Sequence, residues 1–231
     1  MRNVAFLGIA AALAAGPAQA MTYSLLPFQD GTMGILAQGR IEGNESARLA
    51  SVLQQAGGAA RMLVISSPGG DMASAIDLGQ TLRQYGIQTV VGALGQDAYG
   101  QRALGAGRCH SACVLVLMAG VQRSIMPGSR VGVHAPSVVM VQGGRTYALD
   151  DATTRYMVQG TEPVLRSYAR QMGVSPQLID VAHRTPHTSI RTLTGSELAR
   201  FGLVTSGRAS FAKSPGPRKR SATGRRANRL G

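Results

Sequence analysis

A serine lies between the two cysteines of the chain, in the stretch RCHSACVLVLMAG at residues 108–120. Cys109 and Cys113 flank Ser111, and His110 directly precedes it. A serine hydroxyl reacts poorly at neutral pH and becomes a nucleophile when a base, usually histidine, takes its proton. These residue types therefore raise the hypothesis of a hydrolase that uses Ser111 as its nucleophile.

Ser111 has a second interpretation as a helix N-cap, because the following run ACVLVLMAG is typical of a buried helix and serine is a preferred N-cap residue. His110 is a poor base for Ser111, since neighbouring side chains diverge, and is expected to serve local structure or the substrate rim. His134, in GVHAP, follows a predicted buried strand; alone, such a histidine is more often a core residue. His183 and His187 are expected in surface loops.

Strand and helix patterns alternate around these residues. Strands are predicted at 33–41, 61–67, 87–93, on both sides of the turn at 127–128, and at the end of 193–206. Helices are predicted at 44–58 with Asn44 as N-cap, 72–86, 112–120, 150–172, 175–184 and the start of 193–206, and a Gly-rich loop is predicted at 95–108. This alternation predicts an α/β fold with a largely parallel sheet flanked by helices.

Three blocks, ISSPGGDMASAIDLGQTLR, CHSACVLVLMAG and MPGSRVGVHAP, resemble in order and spacing the Clp-type serine peptidases. The resemblance covers about residues 34–204. Within this family, the chain resembles in particular the exported Clp-peptidase-like proteins of bacteria. It implies a Clp/crotonase-like fold of repeated ββα and βαβ units. It also implies that Ser111 is the nucleophile, that His134 is the base, and that the backbone N–H groups of Gly69 and Ala112 face the substrate oxygen.

The resemblance further implies how substrate and subunits are arranged. An extended peptide would lie along a strand edge formed by residues 69–72, which include Gly70, Asp71 and Met72, and would add a strand by backbone hydrogen bonds. Subunits would form a homo-oligomer through the helix near 150–172. We expect peptides or unfolded chains as substrates and no cofactor. The sequence has no nucleotide-binding loop, so ATP-driven unfolding would need a partner.

The family's third catalytic residue, an aspartate, has no counterpart in HRTPHTSIRTLT, where its position falls on Ile190, Ser189 or Thr188. This residue orients the histidine, and its loss in a triad lowers the rate by about 10⁴-fold. Three interpretations stay open: a Ser–His dyad, a site completed by a hydroxyl or a backbone carbonyl, or an inactive site. An inactive site would make the protein a binding or scaffold module. Acyl-CoA chemistry, known from crotonase-like proteins, is disfavoured by export.

The first 20 residues have the pattern of a secretory signal peptide, with Arg2, an apolar run at 4–15 and Ala-Gln-Ala at 18–20. The run is too short for a membrane anchor. We therefore expect an exported protein, periplasmic in a Gram-negative bacterium. Two cysteines in such a protein usually pair. A Cys109–Cys113 disulfide is feasible if Cys109 lies in the turn before the helix; otherwise both are buried thiols. No metal site is expected.

Charge is concentrated at the carboxyl end of the chain. The formal net charge is +13, and residues 213–231 hold seven basic residues and no acidic one. This segment is expected to be a disordered, solvated tail or an electrostatic tether to an anionic membrane surface. It has no interleaved aromatic residues, so no nucleic acid is expected. The predicted division is a signal peptide at 1–20, an N-terminal extension at 21–32, one domain at 33–212 and the tail.

Overall fold

The computed structural model describes residues 19–27, 33–96, 99–100, 102–142 and 145–205. The signal-peptide pattern up to residue 18 and the basic tail lie outside these ranges. The strands are β1 (Thr22–Pro27), β2 (Met33–Gln38), β3 (Ala60–Ser66), β4 (Gln88–Val91), β5 (Ala93–Gln96), β6 (Arg102–Gly105), β7 (Arg108–His110), β8 (Arg123–Ile125), β9 (Arg130–Val133), β10 (Val139–Gln142), β11 (Arg145–Ala148) and β12 (Arg191–Thr192). The helices are α1 (Glu45–Gln55), α2 (Met72–Gln84), α3 (Cys113–Ala119), α4 (Asp151–Gln171), α5 (Gln177–Arg184) and α6 (Gly195–Arg200).

The largest sheet has five strands in the order β1-β2-β3-β4-β8. The strands from β2 to β8 run parallel, and β1 is antiparallel to β2. The helices α1, α2 and α3 lie in sequence between these parallel strands. The predicted α/β fold class, with a largely parallel central sheet flanked by helices, is confirmed.

The central strands are apolar on both faces because both faces are covered. One face packs on the helices, with fully buried Ile35, Leu63 and Ile65 in the strands. All seven residues of α3 are buried, as expected for a helix enclosed on all sides. The opposite face carries a smaller cluster of Leu36, Val64 and Val90, against which Leu94 of β5 and Leu104 of β6 pack.

A second sheet, in the order β12-β9-β7, positions the site. Strands β7 and β9 are parallel, and β12 is antiparallel to β9. The end of β3 joins this sheet, since the Ser67 amide donates to the Arg108 carbonyl at 2.7 Å and the His110 amide donates to the Ser67 carbonyl at 3.1 Å. The turn that follows Ser67 is thereby held beside the segment that follows His110.

The structure differs from the sequence-based expectations at four places. A β5–β6 hairpin replaces most of the predicted loop at 95–108, because its leucines cover the sheet. Strand β1 belongs to the main sheet, so the folded unit begins before residue 33. Residues 203–205 form no strand, although the Thr205 amide donates to the Arg123 carbonyl at 3.1 Å. Asn44 precedes α1 without a side-chain cap hydrogen bond.

Helix α4 confirms the long helix predicted at 150–172. Within the described ranges, none of the helices is both long enough and apolar enough to span a membrane.

Candidate active site

Ser111 lies on a sharp turn between β7 and α3. Its φ is +56°, in the left-handed region that few residues other than glycine adopt. Such a conformation is strained by about 1–3 kcal/mol and is found most often at functional sites. A strand-turn-helix junction of this kind exposes the nucleophilic serine of α/β-hydrolases. The strained backbone of Ser111 therefore indicates a functional role for its side chain.

The structure does not use Ser111 as a helix cap. The N-cap of α3 is Ala112, and no side chain makes a capping hydrogen bond there. The Ser111 amide donates to the Gly132 carbonyl at 2.9 Å, which extends the β7–β9 ladder by one residue. In the part of the chain that the structure describes, the Ser111 hydroxyl makes no hydrogen bond. That hydroxyl is consequently available for chemistry.

His134 follows β9 just as Ser111 follows β7. The two strands are parallel neighbours in the register Arg108–Arg130 to His110–Gly132. Groups that follow the carboxyl ends of neighbouring parallel strands lie at the same edge of the sheet, where ligands usually bind. Ser111 and His134 both line one cavity of about 630 Å³. The structure thus brings the two sequence-predicted residues to a common site.

A backbone carbonyl orients the His134 ring. Nδ1 lies 2.7 Å from the Ala135 carbonyl oxygen. Because a carbonyl oxygen only accepts, Nδ1 must carry the proton that it donates, which leaves the Nε2 lone pair free to act as a base. Of the possibilities that the sequence left open, the geometry supports the one in which a backbone carbonyl takes the orienting position.

The position where the resemblance to Clp-type peptidases would place an aspartate holds an apolar side chain. Arg191 of β12 is the register partner of Val133, so residue 190 lies across from His134. The Ile190 methyl group covers Gly132, since it lies 2.4 Å from where a Cβ on that glycine would be. The Ser189 hydroxyl donates to the Pro186 carbonyl at 3.1 Å and is thereby engaged. Ile190 therefore offers His134 no carboxylate at this position.

The glycine turn of SPGG packs directly against Ser111. A Cβ on Gly69 would lie 2.7 Å from the Ser111 Cβ and 2.7 Å from the His110 carbonyl oxygen. Gly69 has φ +103° and Gly70 has φ +148°, values that favour glycine. Only residues without a side chain can therefore bring the backbone of this turn so close to Ser111.

The N–H groups of Gly69 and Gly70 differ in whether they are free to bind a substrate oxygen, and this corrects one expectation. The Gly69 N–H, expected to face the substrate oxygen, donates to Ser67 Oγ at 3.1 Å. Among the described residues, neither the Gly70 nor the Ala112 N–H has a hydrogen-bond acceptor, and both residues line the cavity. The pair of amides open to a substrate oxygen is Gly70 with Ala112.

The predicted substrate edge at residues 69–72 is already paired on one side. The Ile41 amide donates to the Gly69 carbonyl, and the Asp71 amide donates to the Ile41 carbonyl, each at 2.9 Å. In this pattern the N–H and C=O groups of Gly70 point away from Ile41. Asp71 caps α2 by accepting from the Ser74 hydroxyl at 2.6 Å and from the Ser74 amide at 2.7 Å, and these two hydrogen bonds lower the pKa of its carboxyl. Gly70 is left as the residue with both groups free for a substrate chain.

The cavity has an apolar floor and a polar rim. The floor is formed by side chains of three helices: Val114, Leu115 and Met118 of α3, Leu165 of α4, and Leu178 and Ile179 of α5. Met72 also lines it, while Arg40, Glu42 and Asp71 contribute the polar groups. Such a cavity favours an apolar substrate group that points inward from the backbone at Ser111.

The other histidines take no part in the Ser111–His134 arrangement. The pKa of His110 is lowered by burial and by the nearby Arg108, Arg130 and His134. His183, expected in a loop, lies on α5 with Nδ1 3.4 Å from the Glu162 carboxylate. Across the described ranges, no group of three or more His, Cys, Asp or Glu residues is placed to hold a metal ion.

A disulfide encloses the turn that carries Ser111. Cys109 and Cys113 are bonded, with their Cα atoms 5.2 Å apart, and both are fully buried. Cys109 lies in β7, before the turn, which removes the difficulty that this spacing would meet in a regular helix. The bond closes a short loop, with only three residues between the two cysteines. The bond consequently restrains the strained conformation of Ser111.

Removing this restraint should affect the site more than the fold. We expect the double variant Cys109→Ala/Cys113→Ala to react with a fluorophosphonate about 10- to 100-fold more slowly, because small displacements of a nucleophile are costly. A loop this short adds little constraint to the unfolded chain. Val90→Ala, in the smaller apolar cluster, serves as a control for general loss of packing. Reaction of the cysteine variant at the wild-type rate would show that the bond does not position Ser111.

Two solved structures of 1510-N membrane-bound stomatin-specific protease are similar to this chain. A lysine-to-alanine mutant in complex with a substrate peptide gives a TM-score of 0.49 at 17% identity, covering 73% of this chain and 71% of that chain. A serine-to-alanine mutant gives a TM-score of 0.49 at 16% identity, covering 73% of this chain and 75% of that chain. No family model matches the chain, and no curated protein matches it.

Proposed function

We propose that this protein is a serine peptidase in which Ser111 is the nucleophile and His134 is the general base. The observation that carries this proposal is the cavity that Ser111 and His134 both line, with His134 Nδ1 held on the Ala135 carbonyl. A base with one nitrogen fixed and the other free is the arrangement that activates a hydroxyl.

The proposed reaction has two steps. His134 Nε2 takes the proton of Ser111 Oγ as the oxygen bonds to the substrate carbonyl carbon, and the carbonyl oxygen becomes negatively charged. The intermediate expels the amine, which receives the proton from His134, and leaves an acyl group on Ser111. A water molecule, deprotonated by the same imidazole, then releases the acid and restores the serine. Together the two steps consume one water molecule and need no cofactor.

The oxyanion is stabilised in this proposal by the Gly70 and Ala112 amides. Both amides lack an acceptor among the described residues and both residues line the cavity. One donor in such a site typically contributes about 3–4 kcal/mol to transition-state stabilisation. The close packing of Gly69 on the Ser111 Cβ keeps the turn and the nucleophile in a fixed relation.

A peptide is the substrate that the surroundings of Ser111 favour. The free C=O of Gly70 offers a hydrogen bond to an extended chain whose reacting carbonyl oxygen meets the Gly70 N–H, and the apolar cavity offers space for a side chain. The resemblance of the three sequence blocks to Clp-type peptidases supports the same substrate class. We propose homo-oligomer formation on the basis of that resemblance as well.

We also propose that the protein is exported to the periplasm. Support comes from the signal-peptide pattern of residues 1–20 and from the disulfide, since disulfides persist in oxidising compartments. The basic segment 213–231 is proposed to tether the protein to an anionic membrane surface through its seven positive charges.

A catalytically inactive binding module is the alternative function. The observation that favours it is Ile190, which puts an apolar side chain where the resemblance places an aspartate. A carbonyl stabilises a charged imidazole less than a carboxylate does. The two functions differ in turnover, because a binding module would hold a peptide without cleaving it.

Peptide turnover separates these functions. We expect purified protein to hydrolyse members of a quenched-fluorescence peptide library, and Ser111→Ala to lose at least about 10³-fold of that activity. Ser51→Ala, an exposed serine on α1, should keep wild-type activity. Equal hydrolysis by wild type and Ser111→Ala would contradict the proposed nucleophile, and binding without hydrolysis by the folded wild type would support the binding module.

A further inference from the structure

Two arginines lie directly opposite each other on the strands that lead to the site. Arg108 begins β7 and Arg130 begins β9, and the two are register partners in the parallel pair. Both are exposed. Like charges on directly opposed strand positions are destabilising, so a pair of this kind needs another explanation than sheet stability.

No acidic side chain compensates this pair among the residues that the structure describes. The ion pairs found there involve Arg48, Arg166, His183 and Arg191, and none involves Arg108 or Arg130. Burial lowers the pKa of His110, and the positive charges of Arg108 and Arg130 lower it further.

The arginine pair lies on the face of the small sheet that also carries His110. Alternation along a strand puts Arg108 on the same face as His110, and Arg130 on the same face as Gly132. His110 Cδ2 lies 3.3 Å from where a Cβ on Gly132 would be, which confirms the common face. Neither arginine lines the cavity that Ser111 and His134 line. Arg108 precedes Ser111 by three residues, a distance of about 10 Å along a strand.

We propose that Arg108 and Arg130 together bind a carboxylate of the substrate chain, two to three residues from the bond that is cleaved. The inference rests on the proposed peptidase function. A guanidinium presents its N–H donors in a fork that matches a carboxylate, and two guanidiniums remove their mutual repulsion by sharing one anion. A chain with an apolar side chain in the cavity passes over Ser111 and reaches this pair with its continuation. The carboxylate comes either from an acidic side chain or from the end of the chain.

Binding to the Ser111→Ala variant tests this inference without requiring catalysis. Isothermal titration calorimetry compares peptides of one sequence that end in a free carboxylate or an amide, and peptides with an internal Asp or Asn two or three residues from a central Leu. We expect the carboxylate member of at least one pair to bind about 10-fold more tightly or better, as for other charge-assisted hydrogen bonds. The pair that shows the difference identifies the source of the carboxylate.

Two double variants decide whether these arginines are responsible. Adding Arg108→Gln/Arg130→Gln should reduce the preference to nearly one, whereas adding Arg61→Gln/Arg102→Gln removes the same charge from exposed positions and should leave it in place. Equal affinities within every pair would overturn the inference. A preference that survives Arg108→Gln/Arg130→Gln would overturn it too, because it would then arise from net charge. If the protein prefers the carboxylate peptides but never hydrolyses a peptide, the proposed peptidase function is refuted and the carboxylate site is not.

Discussion

Replacing His134 with alanine should lower kcat/KM for peptide hydrolysis by about 10³-fold or more. The imidazole is the proposed base for the Ser111 proton, and loss of the base in comparable sites removes most of the catalysed rate. The side chain makes one described hydrogen bond, to the adjacent residue, so the fold should persist. Steady-state kinetics with the best library peptide measures the effect, and circular dichroism checks the fold.

His187→Ala provides the matched control for this variant. His187 is exposed and lies in the segment between α5 and β12, so its removal should change kcat/KM little. If His134→Ala kept activity within about 10-fold of wild type, another group would have to act as the base. His110, the histidine next to Ser111, would then be tested first.

The second large effect is expected for Gly70→Ala. An added Cβ would lie 2.0 Å from the Ile41 carbonyl oxygen and 2.8 Å from the Ile41 nitrogen, and φ is +148°. The turn must move to accept the methyl group, which displaces the Gly70 amide from the substrate oxygen. We expect kcat to fall by about 10²- to 10³-fold, the loss typical of one oxyanion donor.

Gly105→Ala tests whether this effect is specific to the turn. Gly105 ends β6, and nothing lies within 4 Å of a Cβ placed on it, so the substitution should be tolerated. Thermal unfolding of both variants separates loss of the site from loss of the fold. A Gly70→Ala protein with wild-type kcat would show that its amide does not stabilise the oxyanion.

Buried strands and the residues that follow them were accessible from the sequence. Apolar runs predicted β3 and β4, because strands covered on both faces carry few polar residues. Ser111 precedes a predicted helix and His134 follows a predicted strand. Both lie in sequence blocks that resemble Clp-type peptidases in order, so the two could be assigned to one site. The helix predicted at 150–172 has a long amphipathic pattern, the most dependable signal in a sequence.

Short elements and backbone directions could not be predicted in the same way. Strand β12 has two residues and β7 has three, which is too short for any periodic pattern. The hairpin of β5 and β6 has glycines in both strands, and its leucines matter only once the sheet beneath them is known. Such elements depend on tertiary pairing and not on local preference.

The assignment of the oxyanion donor shows this limit in one residue. SPGG indicates a turn, but the sequence does not say which glycine amide is free. Ser67 decides the matter, because its hydroxyl accepts the Gly69 N–H two residues ahead, as serines in turns often do. The orienting partner of His134 was equally hidden, since a backbone carbonyl leaves no trace in the residue types.

The function proposed for this site, which has no aspartate, depends most on the reactivity of the Ser111 hydroxyl. Incubation of the purified protein with a fluorophosphonate, followed by intact mass and peptide mapping, reports whether Ser111 forms a covalent adduct. We expect one adduct on the peptide that contains Ser111, formed at least about 10³-fold faster than in His134→Ala. A folded wild-type protein that stays unmodified, or that is modified at a serine other than Ser111, would contradict the proposed hydrolase.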